Sequence, residues 1–257
     1  MTRVITVIGG KGGIGKTTLT SNLATTLSQL GNDVVAVDAN LTTPNLGLHL
    51  GMHLAPNTLH DVLKGESKLS NAMYPHELGF KVIPGSMSVE DLEGVDAGKL
   101  PEVTLSLLGK SDFIIYDSAA GLGREALSSI SAADEILVIT NPDLPSVTDA
   151  LKTVKIAESL HKRILGVVVN KVRKKGYELT REEVSEMIGY PVLVEIPEDK
   201  KVAEAIAAKQ PIVAFEPNSP AAVEMKKLAY SLCGKSVEQR IKPRFGILER
   251  LVKWMSG

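Results

Sequence analysis

The residues best equipped for chemistry in this 257-residue chain are Gly10-Lys11-Gly12-Gly13-Ile14-Gly15-Lys16-Thr17-Thr18, directly behind the apolar run Val4 to Ile8. Their order fits G-x-x-x-x-G-K-[ST], with strand-like sequence before it and helix-like sequence after it, as that pattern requires. Glycines let the backbone turn tightly enough for successive N–H groups to face phosphate oxygens, and the start of the following helix adds its positive end. Gly12, Gly13, Ile14, Gly15, Lys16, Thr17 and Thr18 are the expected phosphate-binding set. Lys16 is expected to reach the β- and γ-phosphates, and the Thr17 hydroxyl is placed for Mg²⁺. The chemistry these residues specify is nucleotide binding.

Such a loop needs a sheet to hold it, and the rest of the chain supplies one. Short runs rich in Val and Ile alternate with helical stretches, which predicts an α/β fold with a mostly parallel sheet buried on both faces. Strands are expected near Val4–Ile8, Val34–Val37, Phe80–Ile83, Phe113–Tyr116, Ile136–Ile139, Leu165–Val169 and Val192–Val194. The helix after the loop carries Leu19, Leu23, Leu27 and Leu30 and stops at Gly31-Asn32, and further helices are expected over Ser146–Leu160, Thr180–Ile188, Lys201–Lys209 and Pro220–Leu232. Polar residues follow several of these strands: Asp38, Asp117, Asn170 and the run Pro197-Glu198-Asp199. Ligands of open α/β sheets bind at the carboxyl ends of the strands, so this is the placement a nucleotide crevice requires.

Composition narrows the function classes. A chain of this length with 44% hydrophobic residues buries one large core. The net charge of −1 makes no general case for nucleic acid as a partner. The lone Cys233, expected at the end of a helix, excludes a disulfide framework and a Cys-rich metal or iron–sulfur site within one chain. His49, His53 and His60 have no H-E-x-x-H pattern around them, and Gly51, Pro56 and Asn57 interrupt the stretch, so a metal site there is not expected. No basic leader with an apolar signal segment precedes the first strand, and no uncharged apolar run approaches about 18 residues, so a cytoplasmic location is expected.

Lys11 adds a second lysine to the loop, and Lys11-Gly12-Gly13-Ile14-Gly15-Lys16-Thr17-Thr18 resembles the deviant Walker A motif of the MinD/ParA family of ATPases. The resemblance implies a single P-loop NTPase domain, with ATP and Mg²⁺ as cofactors and a homodimer formed on ATP. Lys11 would contact phosphates held by the other subunit, as an arginine finger does in trans. Asp117, in Asp-Phe-Ile-Ile-Tyr-Asp-Ser-Ala-Ala-Gly, looks like the Walker B acid that holds a Mg²⁺ water. Ala119 stands where the family usually has Pro, while Gly121 is retained with its N–H expected at the γ-phosphate. Asp38-Ala39-Asn40 occupies the position of a switch motif usually reading Asp-x-Asp, so Asp38 resembles a Mg²⁺-shell residue and Asn40 replaces the acid that positions the attacking water. An amide is a far poorer base than a carboxylate, so slow hydrolysis is expected. Asn170 and Pro197-Glu198-Asp199 resemble the family's adenine-contacting segments. Asn170-Lys171-Val172-Arg173 lacks the acid of the guanine-specific Asn-Lys-x-Asp, which favours ATP. Asp149 resembles a position near the partner-binding face.

Past Gly234 the pattern changes, dividing an ATPase domain at 1–234 from a tail at 235–257. The tail carries six Lys/Arg against two Glu, a local +4 on a protein whose remainder is −5. Wound as a helix, Phe245, Ile247, Leu248, Leu251, Val252, Trp254 and Met255 form one apolar side opposite Glu249, Arg250 and Lys253. That describes an interfacial helix preferring anionic lipid, and it is similar to the membrane-targeting helix that ends the MinD branch. The implied activity is an ATPase that dimerises on ATP, sits peripherally on the inner face of the cell membrane and leaves on hydrolysis. Spatial regulation such as division-site placement, with an unidentified activating partner, is the expected setting. Alternatives are a partitioning ATPase of the ParA type, a small-molecule enzyme such as a biotin-pathway synthetase, and a slow or non-hydrolysing ATP-dependent scaffold.

Overall fold

The computed structural model describes residues 1–52 and 54–234. Strands are β1 (Arg3–Ile8), β2 (Val34–Ala39), β3 (Tyr74–Pro75), β4 (Lys81–Ile83), β5 (Phe113–Ser118), β6 (Glu135–Thr140), β7 (Arg163–Val172) and β8 (Val192–Pro197). Helices are α1 (Lys16–Gln29), α2 (Leu46–His49), α3 (Leu59–Lys64), α4 (Leu100–Leu107), α5 (Arg124–Ala132), α6 (Leu144–Ser159), α7 (Arg181–Ile188), α8 (Lys200–Ala207), α9 (Ile212–Phe215) and α10 (Pro220–Leu232). The strands form one eight-stranded sheet in the order β3-β4-β2-β5-β1-β6-β7-β8, parallel throughout except for the antiparallel β3 edge. β1 lies between β5 and β6, so the loop leaving its carboxyl end emerges at the middle of the sheet.

Alternate side chains of each strand go to opposite faces, and both faces are covered. Val4 and Ile8 join Val35, Val37, Ile114 and Tyr116 under α3 to α7, while Ile5 and Val7 join Val34, Ala36, Ile115 and Leu137 under α1, α9 and α10. The expected α/β class with a doubly covered parallel sheet is what forms.

Boundaries moved in ways that matter for the site. Leu30 is the last cap of α1 rather than part of its stripe, because Gly31 takes a left-handed φ of 87°. Phe80 is buried just before β4 rather than within it. Thr180 is the cap of α7, closing a capping box with Glu183. Asp38, Asp117 and Asn170 are the terminal parts of β2, β5 and β7 rather than residues beyond them, since strand pairing continues through them. The short helices α2 to α5 and α9 and the edge strand β3 have no counterpart in the expected elements; four to nine residues in the helices give little periodicity to read. Cys233 caps the end of α10, as expected. His53 and the whole tail, with its apolar residues Phe245 to Met255, lie outside the described residues.

Candidate nucleotide-binding site

α1 begins at Lys16 with Gly15 as its cap at φ 104°, and its first turn contains no acidic side chain. The free N–H groups of that turn are therefore open to an anion. A Cβ on Gly15 would come within 2.3 Å of Asn170 Nδ2, and one on Gly10 within 2.4 Å of the Asp149 Cβ on α6. The loop is pressed between β7 and α6, and only glycine fits at either place.

Above it lies a cleft of about 820 Å³, lined by Gly12, Gly13, Gly15, Lys16, Thr17 and Thr18 on one side and by Asn170, Pro197, Glu198 and Asp199 on the other. A nucleotide fits a cleft of this size. The loop after β2 lines it with Asn40, Thr43, Asn45 and His49, and Val202, Ala203, Ile206 and Met225 form an apolar wall. Four expected residues stand behind this lining or beside it. Ile14 is buried beneath the loop, Asp38 and Asp117 are buried at strand ends, and Gly121 turns at φ 78° while its neighbour Ala120 takes the lining position.

Two buried carboxylates meet below the phosphate loop. Asp38 and Asp117 are register partners across β2 and β5, and both are fully shielded from solvent. Burial first, and then the facing Asp117, push the Asp38 carboxyl well above its usual range, against the pull of the Leu46 N–H at 2.8 Å and the Asn40 N–H at 3.3 Å. Burial raises Asp117 to about 6, opposed by the Thr17 hydroxyl, which donates to Oδ2 at 2.6 Å, and by the Lys16 ammonium. Asp117 Oδ1 is buried with no hydrogen-bond partner. An orphaned carboxylate oxygen beside a second acid and a Thr hydroxyl is what a hydrated Mg²⁺ requires, so these residues fit the ion. Burial also lowers the Lys16 ammonium below its ordinary value, and its Nζ rests on the carbonyl of Lys11 at 3.0 Å.

Lys11 is not part of the cleft lining; its Nζ sits 3.7 Å from Asp149 Oδ2 on α6, with both side chains partly exposed. Asn40 is engaged within its own loop: its Nδ2 donates to the Thr43 carbonyl, and the Thr43 hydroxyl donates to its Oδ1 at 3.2 Å. Thr42 ties the same loop to α5, its backbone N–H donating to Glu125 Oε2 at 3.2 Å.

Several expected base contacts also hold local structure. Asn170 Nδ2 donates to the Ile14 carbonyl at 2.7 Å, Glu198 takes a two-pronged bond from the Arg173 guanidinium, and Asp199 caps α8 through the Lys201 N–H at 2.9 Å. Asp143 caps α6. His60 is fully buried, with Nδ1 accepting from the Ser86 N–H and Nε2 bonded to the Leu41 carbonyl, which makes it a structural clamp rather than a ligand. Among the described residues no group of three or more His, Cys, Asp or Glu is placed to hold a metal ion. Among the same residues no helix is long and apolar enough to cross a membrane. Thr43, Asn45, His49 and Glu125 were not expected at this site; an Asn directly before a short helix was the one local signal, at Asn45.

The CobQ/CobB/MinD/ParA nucleotide binding domain family (CbiA) matches residues 5–212. An uncharacterised ATP-binding protein of Methanocaldococcus jannaschii is 35% identical over 258 residues, covering 100% of this chain and 98% of that protein. The septum site-determining protein MinD of Pyrococcus horikoshii, solved with Mg-ADP, superposes with a TM-score of 0.88 at 38% identity over 90% of this chain and 96% of that one. The MinC:MinD cell division complex of Aquifex aeolicus includes a chain with a TM-score of 0.81 at 30% identity, covering 91% of this chain and 97% of that one.

Proposed function

This chain belongs to the MinD/ParA family of nucleotide-binding proteins, and from that premise we propose that it is an ATPase whose ATP-bound dimer associates with a membrane and is released by hydrolysis. The observation that carries the reading is the position of Lys11. Both lysines stand on one loop, yet Lys16 lines the cleft and Lys11 is turned to its outer side against Asp149. A pair at 3.7 Å with both groups partly exposed is worth roughly 0.2–1 kcal/mol, so little opposes its exchange for phosphates on a second protomer.

Within one protomer the parts divide the work by position. Loop N–H groups and Lys16 hold the phosphates, Asn170 and the Pro197-Glu198-Asp199 turn border the base, and Thr17, Asp38 and Asp117 hold the hydrated cation. When bound, Mg²⁺ offsets the charge of the β- and γ-phosphates. Lys11 from the partner would add the second cation as charge develops on the leaving oxygens. The tail would bind anionic lipid weakly alone and firmly in pairs, coupling nucleotide state to the membrane by avidity. The Aquifex relative is solved with MinC; a cell-division partner of that kind is the proposed class of protein partner here, with division-site placement as the setting.

Trp254, the sole tryptophan, reports on the membrane step directly. With vesicles of anionic phospholipid, its emission is expected to shift to the blue in the presence of Mg-ATP and to remain unshifted with Mg-ADP. No response in either state would end the membrane reading, and binding to DNA instead of lipid at stated salt would favour the partitioning alternative.

Asn40 favours a slow enzyme, grading into a scaffold that holds ATP. Its amide nitrogen donates to the Thr43 carbonyl, a bond that a carboxylate cannot make. Asn40→Asp is expected to raise single-turnover hydrolysis several-fold, since positioning and charge dominate phosphoryl transfer. Equal rates for the two proteins would dispose of the idea that residue 40 sets the rate.

A further inference from the structure

The cleft contains a second phosphate-loop device, built from the strand opposite. Between Val169, paired with Glu195, and Val172, paired with Pro197, β7 advances three residues while β8 advances two. The extra residue makes a bulge, and Lys171 within it takes the left-handed φ of 58°. Consecutive side chains of a regular strand point to opposite faces. Here the bulge re-aims one of them, as bulges beside functional sites do. Asn170 Nδ2 reaches the carbonyl of Ile14 at 2.7 Å, and Lys171 Nζ reaches that of Gly13, also at 2.7 Å. Two neighbouring residues thus grip two neighbouring carbonyls of the loop.

Because each peptide is planar and trans, fixing a carbonyl fixes the N–H of the next residue in the opposite direction. Holding Gly13 O fixes the direction of the Ile14 N–H, and holding Ile14 O fixes that of the Gly15 N–H. The third loop carbonyl with a side-chain donor, Lys11 O, is held by Lys16, and Lys16 must leave it to reach a phosphate. We propose that Lys171 is a positioning residue of the phosphate loop: carried to it by the β7 bulge, its ammonium holds the Gly13 carbonyl so that the loop's N–H groups stay set for phosphate when Lys16 lets go. The ammonium acts through the loop backbone rather than on the base, and the device operates inside one protomer, independently of the proposed dimer and membrane cycle.

The test uses Lys171→Met, Lys171→Gly and Lys171→Arg in the full-length protein, with Mg-ADP and inorganic tripolyphosphate each titrated by displacement of a fluorescent nucleotide. Glycine suits the left-handed backbone and keeps the bulge, so that variant folds even where methionine strains it. Loss of a charge-assisted bond predicts an affinity about tenfold weaker for both ligands in the Met and Gly variants, largely recovered in Arg. In the ligand-free protein, the Ile14 amide resonance is expected to move in Lys171→Gly. Weaker ADP binding with tripolyphosphate unchanged would place Lys171 on the base and overturn the proposal. So would unchanged affinity for both ligands, or an Ile14 amide that stays where it was.

Discussion

Replacing Lys11 by alanine is expected to cut steady-state ATP hydrolysis by about 10³-fold or more while changing affinity for Mg-ADP by less than about threefold. The magnitude is that of a cation supplied in trans to the transferring phosphoryl group, which is about 10³–10⁵ in rate. The selectivity follows from the geometry, since Lys11 lies outside the cleft and rests on Asp149 on the far side of the loop. The same variant should remain a monomer by light scattering in Mg-ATP where the native chain doubles its mass. Asp149→Asn offers the converse, because removing the acid frees Lys11 without touching the cleft, and ATP-dependent dimerisation should persist or strengthen. A Lys11→Ala protein that hydrolyses and dimerises like the native one would remove the basis for the two-lysine mechanism.

Asp117→Asn is expected to stabilise the nucleotide-free protein at pH 7.5 and to abolish the Mg²⁺-dependent part of its stabilisation by nucleotide. In the ligand-free fold burial raises the Asp117 carboxyl to about 6, from an ordinary value of 3.8. The folded state therefore binds a proton that the unfolded chain has already released. Stability from this group is fully present below about 3.8 and is lost as pH rises through about 6. The loss is on the order of 2–3 kcal/mol, and Asp38, raised in the same direction by its own burial and by Asp117, adds to it. An amide carries no such charge, and the Thr17 hydroxyl can still donate to its oxygen. At pH 7.5 the variant should melt roughly 4–8 °C higher than the native protein without ligand. At pH 5, where Asp117 is protonated, that difference should largely vanish. With Mg-nucleotide at about 100-fold over Kd the difference should largely close, since the native protein then gains about 2.7 kcal/mol while the variant is expected to lose the Mg²⁺-dependent part of that gain. An Asp117→Asn protein that melts no higher than native at pH 7.5 would show that the paired acids carry no strain.

The two predictions expose one design. The pair of acids weakens the empty fold, and the second lysine rests in a weak, partly exposed ion pair. The acid pair holds unfavourable free energy on the order of 2–3 kcal/mol in the ligand-free protomer, and the ion pair is worth only roughly 0.2–1 kcal/mol; on the proposed reading nucleotide relieves the first and displaces the second.

What the sequence determined by itself is what depends on near neighbours. The phosphate loop is contiguous, so its glycines, Lys16 and Thr17, with strand-like sequence before them and helix-like sequence after, point to an anion site, and α1 begins at Lys16. The buried parallel strands announce themselves as Val- and Ile-rich runs, and their carboxyl ends follow, which is why Asp38, Asp117, Asn170 and Pro197 could be placed at one rim before any coordinates. The tertiary structure alone decided what depends on register and on contacts remote in sequence. The β7 bulge turns Lys171 onto Gly13, a residue 158 positions away, and no local pattern encodes a bulge. Asn40 looks like a weakened catalytic acid in sequence but is bonded to Thr43 in space, and Thr42 is fastened to Glu125, 83 positions away. The raised pKa values of Asp38 and Asp117 likewise need the parallel pairing of β2 with β5, which places the two carboxylates side by side with solvent excluded. Chemistry written in one short segment is legible from residue types, whereas its tuning comes from the low dielectric and fixed distances that only packing creates.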